Sequence, residues 1–227
     1  MNTQSPEDIT PPNGPLADIR AAITQSEKIA GRPARSTTLI AISKTKPVEA
    51  IEALIDQGQL TFGENRVQEA AAKFPNLRAR HPGLELHMVG QLQSNKADDA
   101  VAQFDVIHSV DRPSLAKALA AAMSKAGRQL PCFVQVNIGD EPQKGGCAIS
   151  DLPDLLVQAR ALGLPVIGLM AVPPADVESA PYFALLAKLA RDCGLDQLSM
   201  GMSGDFETAV RIGATHIRIG SALFGAR

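Results

Sequence analysis

Two lysines in Ser43-Lys44-Thr45-Lys46-Pro47 directly follow the apolar run Leu39-Ile40-Ala41-Ile42. This order places at least one lysine at the carboxyl end of a buried strand. A lysine there loses hydration, which disfavours its ammonium form and makes the neutral amine available as a nucleophile. Beside a carbonyl ligand, such an amine forms a Schiff base. Alternation along a strand puts positions 44 and 46 on one face, so spacing leaves both as candidates.

Other residues point to an anion. Met202-Ser203-Gly204-Asp205 and Gly220-Ser221 each close an apolar run and precede a helical stretch. Glycine lets the backbone approach an anion, serine adds a hydroxyl, and a helix start offers unpaired N–H groups. Together with a nucleophilic lysine they suggest a phosphorylated aldehyde as ligand. Arg218 lies inside the apolar segment His-Ile-Arg-Ile-Gly, sharing one face with His216 and Gly220. A buried arginine needs partners, either a structural ion pair or a ligand. His87 reads as a core histidine or a site group. Lys144 and Cys147 flank two glycines in Glu141-Pro142-Gln143-Lys144-Gly145-Gly146-Cys147, where a bland loop thiol is expected.

The elements that must position these residues are short apolar runs at 38–43, 60–65, 85–90, 106–110, 132–138, 166–172, 197–202 and 216–221. Helical stretches at 47–58, 64–73, 112–127, 151–163, 181–194 and 205–213 lie between them, several ending in glycine. A further amphipathic helix covers 16–30. Strands alternating with helices predict a parallel sheet. A count of eight favours a closed (β/α)8 barrel of the TIM type, with its site at the carboxyl ends of the strands. An open doubly wound sheet would show glycines after its first strand, where SKTKP has none. The expected organisation is a disordered tail over 1–15 and one barrel domain over 16–227.

Composition narrows the function. The chain has 227 residues, 45% hydrophobic, with a formal net charge of -2 and no basic block, which argues against nucleic-acid or membrane partners. Three scattered cysteines predict free thiols in a reducing cytoplasm. His81, His87, His108 and His216 lack metal-ligand spacing, so no metal is expected.

SKTKP, FGENRVQE, HMVGQLQSNK, VNIGDEPQKGGC and LSMGMSGDFETAVRIGATHIRIGSALFGAR, in this order, resemble the pyridoxal phosphate homeostasis proteins. These are relatives of the barrel half of bacterial alanine racemase. The resemblance implies pyridoxal 5′-phosphate (PLP) held as an aldimine on Lys44, with Asn65 near the cofactor. It implies phosphate contacts from Met202, Ser203, Gly220 and Ser221, and Arg218 facing the pyridine nitrogen. It further implies a monomeric PLP carrier in vitamin B6 homeostasis, without robust catalysis, with PLP-dependent apo-enzymes as acceptors. The alternatives are a PLP-dependent amino-acid racemase and a Schiff-base aldolase without PLP. Racemases of this type take a tyrosine from a second domain, and Tyr182, the one tyrosine here, matches no such position. One departure is Leu86-His87, where many members read Trp-His; another is the longer tail.

Overall fold

Each apolar run forms a strand in the computed structural model, which describes residues 14–225. The strands are β1 (Thr38–Ile42), β2 (Thr61–Glu64), β3 (Glu85–Met88), β4 (Val106–Val110), β5 (Cys132–Gln135), β6 (Val166–Met170), β7 (Gln197–Ser199) and β8 (His216–Ile219). All neighbours pair in parallel, and β8 returns to β1, closing the barrel. The helices are α1 (Pro15–Ile29), α2 (Val48–Ile55), α3 (Val67–Arg80), α4 (Ala97–Gln103), α5 (Pro113–Ala126), α6 (Leu152–Ala161), α7 (Ala180–Asp192), α8 (Phe206–Ile212) and α9 (Ser221–Phe224). The tail expected over 1–15 falls outside the described residues as far as position 13, and Pro15 already belongs to α1.

Two helices depart from the sequence reading. The stretch expected at 64–73 starts later and runs on to Arg80, through Pro75. Its apolar face, Val67, Ala70, Phe74 and Leu77, is buried and continues beyond the proline. That burial offsets the lost backbone bond, which a propensity argument would count as a stop. α4, which joins β3 to β4, is only seven residues long, too short for its periodicity to show in the sequence.

The strands divide the interior in two. Outward side chains such as Phe62, Leu86, Ile107, Val134, Leu169 and Ile217 pack under the helices in the main apolar core. Inside the barrel, the apolar cluster is small: Val106, Phe133 and Met170, flanked by Ile167 and Val172. Polar groups share that space. His87, His108, Ser199 and Arg218 are all buried. Gly63 makes room within the barrel, since a Cβ there would lie 2.7 Å from Ile42 Cδ1 and 2.9 Å from Ile40 Cγ2. No helix among the described residues is long and apolar enough to cross a membrane.

Candidate functional site

A cavity of about 560 Å³ opens at the carboxyl ends of the strands. Lys44, Asn65, Met202, Ser203, Arg218, Gly220 and Ser221 all line it, as do Lys46, Val89 and Val172. The strand register sets their depth. Ile40 pairs with Arg218 and Ala41 with Ile219, so Arg218 sits deep in the barrel while Gly220 lies against Ile42.

The turn after β1 separates the two lysines. Lys46 N–H donates to Ser43 O at 3.0 Å, closing a turn in which Thr45 takes a φ of 62°. A β-branched residue in this region is strained, at a cost of order 1–3 kcal/mol. Glu69 Oε1 offsets that cost by accepting from Thr45 N–H. Beyond the turn, Lys46 Nζ donates to Phe224 O at 3.2 Å and Gly225 O at 3.3 Å, just past α9. Lys44 makes no ion pair or hydrogen bond among the described residues. Of the two amines, only that of Lys44 is uncommitted.

A buried clamp fixes the turn from below. Lys73 Nζ lies 2.9 Å from Ser43 O, 2.9 Å from Glu64 Oε1 and 2.6 Å from Glu69 Oε1. Ser43 Oγ donates to the same Glu64 oxygen at 2.7 Å. Burial pushes the Glu64 carboxyl above the usual carboxylate range, and its bonds to Ser43 and Lys73 pull the other way. Asn65 follows directly, and its backbone crosses close to Gly90. A Cβ on Gly90 would lie 2.3 Å from Asn65 O, so only glycine fits there.

Among the described residues Arg218 forms no salt bridge, and the Asp205 carboxylate acts on it only at longer range. Its Nη1 donates to Ser199 Oγ at 2.7 Å and its Nη2 to Ala171 O at 2.9 Å. Burial lowers its pKa to about 10, which still leaves a cation at neutral pH. Across the mouth, Ser221 Oγ lies 3.3 Å from Ser203 Oγ, and Ala222 N–H donates to Ser203 Oγ at 3.4 Å. Met202 N–H is already taken by Asp205 Oδ1 at 2.7 Å, so Met202 contributes its half-exposed side chain to the rim.

The family model for the alanine racemase N-terminal domain matches residues 16–227. A pyridoxal phosphate homeostasis protein of Pseudomonas aeruginosa is 41% identical over 218 residues, covering 93% of this chain and 94% of that one. The chain belongs to the pyridoxal phosphate homeostasis protein family. PipY of Synechococcus elongatus, solved with PLP bound, is 39% identical with a TM-score of 0.78, covering 89% of this chain and all of that one. The same protein without PLP gives 40% identity and a TM-score of 0.79.

Leu86 is fully buried in the outer core and does not line the cavity. Lys144 also lies apart from the cavity, donating to Pro173 O at 2.8 Å and pairing with Glu141. Cys147 is buried, and burial with nearby Asp111 raises its thiol to about 12, so it stays a thiol. Sequence reasoning missed Lys73, His108 and Ser199. His108 carried the same signal as Arg218, a polar residue inside an apolar strand.

The barrel histidines make stability depend on pH. Burial, with nearby His87 and Arg218, lowers His216 to about 4 and His108 well below the ordinary value of 6.5. Both are neutral in the fold, while the unfolded chain takes up their protons below about 6.5. Stability therefore falls as pH drops from about 6.5 towards 4, by about 1.4 kcal/mol per pH unit for each histidine. Glu85, held below the usual range mainly by His87, adds to the loss at the acid end; Glu64, shifted upward, opposes it. Urea unfolding at pH 7.5, 6, 5 and 4.5 measures the slope. His216→Gln should flatten it by about one histidine's share, and an unchanged slope would show that His216 is not the source.

Proposed function

We propose that this protein binds PLP in the barrel-mouth cavity and serves PLP homeostasis as a carrier, without sustained catalysis. The observation that carries the reading is the single uncommitted amine of Lys44, facing the same cavity as Arg218 and the Ser203–Ser221 hydroxyl pair. The donor set fits the cofactor. Two hydroxyls and the Gly204 and Gly220 backbones would take the phosphate, Arg218 would meet the pyridine nitrogen, and Asn65 would flank the ring. When bound, PLP supplies an aldehyde that a lysine amine captures and a ring able to act as an electron sink.

The protein's own residues weaken that sink. A cationic Arg218 with neutral hydrogen-bond partners opposes protonation of a ring nitrogen through like-charge repulsion. Racemisation also needs an acid–base group on each face of the substrate, each supplying about 10²–10⁴-fold, and Tyr182 lies on α7, outside the cavity. The wide mouth suits exchange of PLP with apo-enzymes. The three free cysteines fit a reducing cytoplasm.

Titrating the full chain with PLP should produce a yellow, borohydride-bleached species. Incubating the loaded protein with L-alanine and other L-amino acids should yield no sustained D-isomer or keto acid. Turnover near the usual enzyme scale of about 1–10³ s⁻¹ would overturn the carrier reading in favour of a racemase. A colourless protein would overturn PLP binding itself.

The phosphate assignment has its own test. Ser203→Asp or Ser221→Asp places a carboxylate against the phosphate. PLP affinity should fall by roughly ten- to a hundred-fold, or about 1–3 kcal/mol. Pyridoxal, which lacks the phosphate, should lose little. Equal losses for both ligands would place the phosphate elsewhere.

A further inference from the structure

Four buried polar groups inside the barrel form a continuous line. Arg218 Nη1 lies 2.7 Å from Ser199 Oγ, and Ser199 Oγ lies 2.8 Å from His108 Nδ1. His108 Nε2 then lies 2.8 Å from His87 Nδ1. His87 Nε2 faces Glu85 Oε1 at 3.3 Å, near enough for attraction but off the hydrogen-bond axis. His87, His108 and Ser199 are at most 1% exposed.

The direction of every proton in this line follows from its arginine end. A guanidinium only donates, so Ser199 Oγ accepts from Arg218. The Ser199 proton then has one acceptor among the described residues, His108 Nδ1. Were His108 Nδ1 the donor instead, the serine proton would be buried with no partner, a costly arrangement. His108 therefore carries its proton on Nε2 and gives it to His87 Nδ1. His87 in turn carries its proton on Nε2, toward the Glu85 carboxylate. A second proton on His87 Nδ1 would point two N–H groups at each other, unless His108 reversed and broke its bond to Ser199.

We propose that Ser199, His108 and His87 form a one-way hydrogen-bond chain that positions Arg218 at the cavity floor, with both histidines in the Nε2–H form. These are positioning residues, acting through Arg218. The chain supplies a rigid acceptor that carries no negative charge. An arginine held by a carboxylate would present a neutralised pair, whereas one hydrogen-bonded by a serine hydroxyl and the Ala171 carbonyl, with Asp205 acting only at longer range, stays cationic toward the cavity. The ligand group it meets is then an unprotonated acceptor. The inference rests on the PLP reading only in naming that acceptor as the pyridine nitrogen.

Nitrogen-15 NMR of histidine-labelled full chain, without PLP, tests the proton pattern directly. The expected result is a neutral Nε2–H form at His108 and at His87. An Nδ1–H form or an imidazolium at either residue in the wild-type protein at neutral pH overturns the proposal, whatever any variant does. Ser199→Ala removes the donor to His108 Nδ1. Its spectrum should lose the single-tautomer signature at His108 and His87, and its PLP affinity should fall roughly tenfold. Histidine signals unchanged by Ser199→Ala would also overturn the chain. A protein showing the expected tautomers but no PLP binding would retain the chain and reject the cofactor.

Discussion

Lys44→Ala is expected to leave the protein unable to form the yellow, borohydride-reducible adduct with PLP, while Lys46→Ala should retain it. The two lysines are two residues apart and border the same cavity, so proximity does not separate them. Their commitments do. The Lys46 ammonium is bonded to the Phe224 and Gly225 carbonyls and lies 5.9 Å from the centre of the Phe224 ring. Those contacts hold it away from reaction. Lys44 has no such anchor. Loss should therefore be complete for Lys44→Ala, with residual non-covalent binding through the phosphate contacts. Peptide mapping after reduction checks the assignment. A pyridoxyl group on Lys46 or Lys144 would show that the turn does not select Lys44.

Lys73→Met is expected to destabilise the fold by about 3–5 kcal/mol at neutral pH, a large share of the roughly 5–15 kcal/mol of a typical domain. Glu64 is fully buried, and its Oε1 depends on Lys73 and Ser43 while Oε2 has no partner among the described residues. Removing the cation leaves a buried carboxylate uncompensated. The folded-state pKa of Glu64 is already raised by burial and would rise further without Lys73. A carboxyl with a raised folded pKa costs stability as pH climbs above its unfolded value, so the penalty in Lys73→Met should shrink on acidification. Glu64→Gln added to Lys73→Met should restore much of the loss. Urea unfolding of the wild type, Lys73→Met and the double variant at pH 5 and pH 7.5 measures this. A loss below about 1 kcal/mol for Lys73→Met would mean that Glu64 is neutral in the native protein. The same substitution frees Glu69 and loosens the strained turn at Thr45, so Lys44 should lose orientation as well.

The eight strands were legible because a barrel strand is buried on both faces, and short runs such as Leu39-Ile40-Ala41-Ile42 and Val106-Ile107 record that burial directly. Arg218 stood out as a charge within such a run, and Gly220-Ser221 as a small-residue break after it. The order and spacing of the motifs were enough to indicate the family. Tertiary structure alone decided the rest. The bonding that sets Lys46 apart from Lys44 depends on α9, which brings carbonyls to Lys46 from 178 residues away. The course of α3 through Pro75 depends on apolar surface supplied by other elements. Lys73 is an ordinary helix lysine until β1 and β2 bring Ser43 and Glu64 against it. Ser199 and His108, 91 positions apart, become partners only because closure of the barrel turns β4 and β7 inward together. Local sequence encodes burial and turn chemistry, which act over a few residues. Hydrogen-bond partnership inside a barrel is set by register and closure, which no short stretch of chain contains.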